Sequence, residues 1–284
     1  MTSPASPAPV LLLGIGGATS SGKSTLAAHL SSLLNHAYEQ QTLVDGTLGR
    51  DGSEARVQVV GQDDFALPEE ELGFDERIDG KDWDDPDQCI DYARFATALE
   101  QLKSGGTPPV SPKEVSTLPE VTTSMPSSSS QTVQRILELL QRLSNPKIFL
   151  VDGFLLYYDS RVTSTLDVRL FLRASEEDVR SRREGRVYHT AEGTTWSDPP
   201  NYFDLILWPS YVKAHQNLFE QRDVERGALV KASSNASEMQ SGGPVSGLRL
   251  LETRHQSLED VVQNACQLIL EELQQIAAKQ SCSR

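Results

Sequence analysis

"GIGGATSSGKSTLAAHL", from Gly14 to Leu30, is the stretch whose reading decides the fold. It opens on glycines and small hydroxyl residues and becomes a helical pattern directly after a lysine. Gly17 to Ser24 matches G-x-x-x-x-G-K-[ST], and the flanks are those the motif requires. The apolar run "PVLLLGIGG" before it is continuous and not alternating, which predicts a strand buried on both faces, and Ser24 to Leu34 after it predicts a helix. Small side chains leave room for phosphate. Gly17 and Gly22 let the backbone curl until its N–H groups point inward, and the helix adds its positive N-terminal end. The expected nucleotide cradle is therefore Gly17, Ala18, Thr19, Ser20, Ser21, Gly22, Lys23, Ser24 and Thr25. Lys23 supplies a point charge to the outer phosphates, and the Ser24 hydroxyl is offered to Mg²⁺.

Further along, "RVQVVGQDDF" predicts a second strand ending in Asp63 and Asp64, and "KIFLVDGFLLYY" a third carrying Asp152 where the apolar run breaks. "DVRLFLRA" and "LRLL" add two more. Helices are predicted over Pro86 to Lys103, "TVQRILELLQRL", "SEEDVRSRREGR", "YVKAHQNLFEQRD" and "SLEDVVQNACQLILEELQQIA", the third opening with Ser175 and Asp178 spaced as a capping box. Strands alternating with helices build an α/β domain, a central parallel sheet with helices on both faces and ligands at the carboxyl ends of its strands. Residues 1–284 read as one such domain. Three Gly-, Ser- or Pro-rich inserts, 40–56, 104–130 and 232–247, carry too little apolar content to pack and are expected to be disordered.

Position suggests chemistry for the strand-end acids. Asp63, at the end of the strand beside the loop, could take a proton from an attacking hydroxyl; equally, it or Asp64 could simply start a turn. Asp152 fits a Walker-B-like role toward Mg²⁺, with a strand-end cap as the plainer reading. Arg180, Arg182, Arg183 and Arg186 lie on or just after one helix, where guanidinium groups could clamp a transferring phosphoryl group as a lid. Helical spacing puts Arg182 and Arg186 on one face and turns Arg180 and Arg183 elsewhere, and a merely solvated face explains any single one of them.

Composition bounds the partners. A formal charge of −14 removes the electrostatic footprint expected of a protein that binds nucleic acid or an anionic membrane, so the partner is expected to be a small molecule. "VLLLG" is too short to span a bilayer and "MTSPASPAP" lacks the charged start of a signal peptide. Three scattered cysteines make no disulfide frame. Cytoplasm or nucleus is the expected location.

Taken together, "GATSSGKST", "QDDF", "DWDDP", "DGFLLYY", "RREGRVY" and "YFD...WPSY" resemble, in order and spacing from Leu11 to Val230, the nicotinamide riboside kinases, within the uridine-kinase-like P-loop kinases. The chain looks like a fungal-type member with inserts. The resemblance implies the P-loop kinase fold with a lid over the phosphate site. It also implies transfer of the ATP γ-phosphate to the ribose 5′-hydroxyl of nicotinamide riboside, or of nicotinic acid riboside, for NAD synthesis. By the same resemblance Asp63 is the general base and also meets substrate, Lys23, Arg182 and Arg186 are catalytic, and Ser24 and Asp152 hold Mg²⁺. Trp83 and Tyr188 would stack on the two faces of the pyridine ring, and Asp84 with Arg183 would take the ribose hydroxyls. One departure is visible: the family carries Glu before "GFLL", and this chain has Asp152, one methylene shorter, which leaves open whether it would meet the metal directly or only through water. A cationic pyridinium suits an aromatic pair flanked by Asp82, Asp84 and Asp85. Two alternatives stand beside this reading, a uridine or cytidine kinase and a non-catalytic nucleotide-binding sensor or scaffold.

Overall fold

In the computed structural model β1 (Val10–Gly17) leads through the phosphate loop into α1 (Lys23–Asp45). There follow β2 (Val57–Gly61), a small antiparallel hairpin of β3 (Phe74–Asp75) and β4 (Gly80–Lys81), then α2 (Tyr92–Lys103) and α3 (Ser127–Arg142). Next come β5 (Lys147–Gly153), α4 (Ser160–Thr165), β6 (Val168–Arg173) and α5 (Glu176–Arg183). The chain closes with a hairpin of β7 (Tyr188–His189) and β8 (Thr195–Trp196), α6 (Trp208–His215), β9 (Leu248–Glu252) and α7 (Leu258–Cys282). The structure describes residues 9–45, 56–107, 127–184, 188–189, 195–196, 198–231 and 241–282.

The five long strands form one parallel sheet in the order β2-β5-β1-β6-β9. β1 is central, so its side chains alternate between two cores as the pleat dictates. Leu13 and Ile15 join Leu26 and Leu30 of α1, Ile136 and Leu140 of α3 and Ile269 of α7 on one face. Leu12 joins Phe95 and Leu99 of α2, Val162 of α4 and Tyr211 of α6 on the other. This is the predicted α/β architecture, with the phosphate loop at the carboxyl edge of the central strand. Among the described residues no helix is long and apolar enough to cross a membrane.

Local boundaries differ from the sequence reading. α1 continues through residues 40–45 of the first expected insert, because Leu30, Leu34 and Tyr38 extend one buried stripe at helical spacing and Asn35 exchanges hydrogen bonds with the Val57 backbone. Residues 46–55 lie outside the described residues. In the second insert 104–107 are described and α3 already begins at Ser127; 108–126 lie outside. In the third, 232–240 lie outside, but 241–247 hold a defined turn in which Gly242 N–H donates to the Tyr158 carbonyl at 2.7 Å. α2 starts at Tyr92, capped by the Asp91 side chain, later than the predicted Pro86.

The glycines of the opening stretch divide their work. A Cβ at Gly16 would lie 2.4 Å from the ring of Tyr157, which covers β1 and hydrogen bonds to the Leu170 carbonyl at 2.8 Å. Gly17 has φ +139°, and a Cβ there would stand 2.3 Å from the Leu172 carbonyl oxygen of β6. Gly22 also has positive φ, +102°, but faces open space. Gly17→Ala is therefore expected to lose ~3 kcal/mol or more of stability and Gly22→Ala ~1–2 kcal/mol, since only the first adds a backbone clash to the strain. Urea unfolding of both variants, read as a shift of midpoint at constant slope, checks the ranking.

Candidate active site

The phosphate loop is closed by its own backbone. Ser21 N–H donates to the Ala18 carbonyl at 3.2 Å, Leu26 N–H to the Gly22 carbonyl at 2.9 Å, and Ser20 takes φ +55° between them. Lys23 is buried and its Nζ donates to the Ala18 carbonyl at 2.7 Å, so the ammonium lies folded against the loop. His215 lies deep in the fold near this charge. Burial, helped by Lys23, pushes it down to about 4, so the imidazole is neutral and the lysine is the local cation.

Ser24, in the first turn of α1, and Asp152, near the end of β5, meet across the adjacent strands. The Ser24 hydroxyl donates to Asp152 Oδ2 at 2.5 Å, between a buried aspartate and an exposed serine. A hydroxyl beside a buried carboxylate, at the mouth of a phosphate cradle, is a hard-oxygen donor set that suits Mg²⁺. Among the described residues no group of three His, Cys, Asp or Glu side chains gathers as a self-sufficient metal cage.

Asp63 sits one strand further out. Gly61, the last residue of β2, pairs with Asp152, and the chain then makes a 3-10 turn over Gln62–Phe65. Gln62 and Phe65 are the buried anchors of that turn. Gln62 Oε1 accepts Leu155 N–H at 2.9 Å, and the Phe65 ring packs 4.7 Å from Phe95. With those two held inside, Asp63 is left exposed at the carboxyl edge of the sheet. Asp63 thus both opens a turn, its carbonyl accepting Ala66 N–H at 3.1 Å, and presents a carboxylate to solvent.

The arginines separate differently from the helical-wheel expectation. Arg180 is held by Glu176 and Asp204 and stacks 4.1 Å over Phe203, a packed surface role. Arg182 reaches the Ser20 and Ser21 carbonyls at 3.4 and 3.5 Å. Arg183 does not turn away. Its Nε and Nη2 donate to Asp198 at 2.6 and 2.8 Å, and its Nη1 donates to Thr19 Oγ1 in the phosphate loop at 2.9 Å. The Asp198 carboxylate fixes the plane of the guanidinium, a two-bond geometry that lysine could not reproduce. Arg186 lies outside the described residues.

Asp84 is buried beside this bridge. It shares a small hollow with Thr19, Phe154, Leu155, Leu207 and Tyr211. Burial pushes its carboxyl up to about 6, against the charge of Arg183 and a hydrogen bond from Tyr202, which favour the ionised form. Tyr202 donates to Asp84 Oδ2 at 2.8 Å and accepts the Trp83 N–H at 3.1 Å. Trp83 is half-buried, packed against the larger core, and Asp82 Oδ1 accepts the N–H groups of Asp84 and Asp85 to fix the turn. Tyr188 begins the β7 strand, its backbone paired with Trp196, and its side chain lies outside the described residues. Thus the structure gathers Thr19, Lys23, Ser24, Asp152, Arg182, Arg183 and Asp84 around one loop, with Asp63 two strands along the same edge. Sequence reasoning passed over Asp198 and Tyr202. Asp198 was marked only by its place in "SDPPNYFD", between the arginine helix and α6, whereas Tyr202 opens the "YFD" of the family motif without a role having been given to it.

No family model matches the chain. It is 34% identical over 220 residues to a nicotinamide riboside kinase from Eremothecium gossypii, covering 76% of this chain and 80% of the relative. The Saccharomyces cerevisiae nicotinamide riboside kinase is 25% identical over 231 residues, 81% of this chain and 87% of its own. The Schizosaccharomyces pombe nicotinamide riboside kinase is 27% identical over 232 residues, 78% and 86%. At that identity and coverage, with a phosphate loop, a buried strand-end carboxylate and arginines from α5 assembled on one sheet edge, the chain belongs to the nicotinamide riboside kinase family.

Proposed function

We propose that the chain transfers the γ-phosphoryl group of ATP to the 5′-hydroxyl of nicotinamide riboside, giving nicotinamide mononucleotide for NAD synthesis, with nicotinic acid riboside as a second substrate. The observation that carries this reading is the coincidence, in a member of that family, of the closed phosphate loop with an exposed strand-end acid and a buried Asp84 near Arg183. The three free cysteines suit a reducing location, and the proposal extends to cytoplasm or nucleus.

In the reaction a bond forms between the 5′-oxygen and the γ-phosphorus while the bond from that phosphorus to the β,γ-bridging oxygen breaks, and ADP leaves. Asp63 accepts the proton of the attacking hydroxyl. Lys23 gives up its carbonyl partner to meet the β- and γ-phosphates, and the loop N–H groups hold their oxygens in place. Ser24 and Asp152 would hold Mg²⁺, which neutralises charge on the phosphates when bound. Arg182, which reaches the Ser20 and Ser21 carbonyls of the loop, supports a role toward the transferring group, and Arg186 is assigned to the same lid from the family resemblance. Asp84 and Arg183 offer an acceptor and a donor to the ribose hydroxyls. Trp83 stacks on the pyridinium, with Tyr188 opposite, and the carboxylates around Trp83 favour the cation over a neutral pyrimidine.

Asp63→Asn is expected to lower kcat by about 10²–10⁴-fold, the usual contribution of a positioned base, with ATP affinity little changed. Single-turnover phosphate transfer and ATP titration together check this, and unchanged turnover would remove the base assignment. Asp84 adds a pH dependence. Its carboxyl titrates near 6 and must be ionised to accept ribose hydroxyls, so kcat/KM for the nucleoside is expected to fall as pH drops below about 6. A pH series reads the limb directly, and its absence would argue against an ionised Asp84.

A further inference from the structure

The Trp83–Asp84 pair is held by a residue that the catalytic reading does not use. We infer that Tyr202 is a positioning residue for the nucleoside subsite, its hydroxyl fixing both the Asp84 carboxylate and the peptide between Asp82 and Trp83. The inference rests on the nucleoside reading above and deepens it.

Geometry carries the argument. Tyr202 is buried at 1% exposure, in helical backbone directly before a π-helical segment, Phe203–Leu207, running into α6. The preceding residue, Asn201, takes a left-handed φ of +64°, which turns the chain just before the ring enters the core. A phenol has one proton and can accept as well as donate. Here the proton goes to Asp84 Oδ2 at 2.8 Å, and the oxygen accepts the Trp83 N–H at 3.1 Å. One oxygen atom thus sets the position of the backbone that carries the aromatic ring and the orientation of the carboxylate next to it. Arg183 approaches Asp84 from α5 with its guanidinium already fixed by Asp198 and Thr19. The carboxylate oxygens of Asp84 are therefore set by Tyr202 before a ribose arrives, which lowers the ordering cost of binding.

The titratable and charged groups around Asp84 are Arg183 from α5, Asp198 and Tyr202 from the segment leading to α6, Tyr211 of α6 in the same hollow, Asp82 from its own loop, and the Cys89 thiol, on which the Asp84 charge acts. Burial raises the carboxyl, while Arg183 and Tyr202 oppose the rise and Asp82 and Asp198 add to it. Removing the phenol proton therefore moves the titration of Asp84 upward, a change that loss of packing alone would not produce.

The test is steady-state kinetics on Tyr202→Phe with whichever nucleoside the unaltered enzyme phosphorylates fastest, beside a thermal melt. The expected result is a rise of about ten-fold or more in KM for the nucleoside, the scale for a lost hydrogen bond to a charged group, with KM for ATP nearly constant. The acid limb of kcat/KM is expected to move to higher pH. Adding Tyr202→Phe to Asp84→Ala is expected to cost less than the product of the two single losses, since the Asp84 contact is shared and only the bond to the Trp83 N–H is left to lose. Should Tyr202→Phe fail to fold, 3-fluorotyrosine placed at 202 keeps the shape and strengthens the donor, and it is expected to move the limb to lower pH. Equal losses toward ATP and nucleoside, an unmoved acid limb in a folded variant, or losses that multiply in the double variant would each overturn the inference. An unaltered enzyme that phosphorylates no nucleoside would overturn the reading it rests on, whereas an active one indifferent to Tyr202→Phe would overturn this inference alone.

Discussion

The approach of β1 to β6 at Gly17 is the constraint from which the site follows. Gly17 pairs with Leu172, and its backbone lies so close to the Leu172 carbonyl that no side chain fits. That contact fixes where the central strand stops and the phosphate loop begins. α1 then starts at Lys23, which places Ser24 against Asp152 of β5 on one flank. On the other flank, β6 runs into α5, capped by Ser175, and so delivers Arg182 and Arg183 to the loop. A parallel sheet thereby converts sequence separation into proximity: Arg183 and Thr19 are 164 residues apart and hydrogen bonded.

Charge is distributed with the same economy. The chain carries a formal −14, yet the loop gathers Lys23, Arg182 and Arg183 at one point. Such a local cation cluster suits polyphosphate, while the acidic remainder repels extended polyanions. Asp84 and Asp198 balance Arg183 inside the fold, where an unpaired guanidinium would be costly to bury.

The fold was legible because its signals are local. A continuous apolar run, a glycine turn and a capped helix can each be recognised within a few residues, and strand–helix alternation then limits the topology. Boundaries were less legible. "HAYEQQTLV" looks polar, yet Tyr38 stays in the stripe set by Leu30 and Leu34 and the helix runs on. The phosphate loop was readable from its own residues. The roles proposed for Trp83, Asp84 and Arg183 in the nucleoside subsite rest on family resemblance, since nothing local marks one acid or arginine among several. Helical spacing turned Arg183 away from the loop, but a helix of eight residues placed beside the loop can direct two adjacent arginines at it. Asp198 and Tyr202 were not legible because their meaning lies in partners contributed by distant strands and loops.

Initial rates of phosphorylation of nicotinamide riboside, nicotinic acid riboside, uridine and cytidine with Mg-ATP, following mononucleotide and ADP together, test the central claim most directly. The account predicts fast 5′-phosphorylation of the pyridinium nucleosides and weak activity on the pyrimidines. A pyrimidine preference would contradict the pocket assigned to Trp83 and Asp84, and ATP binding without transfer to any of the four would contradict the kinase itself.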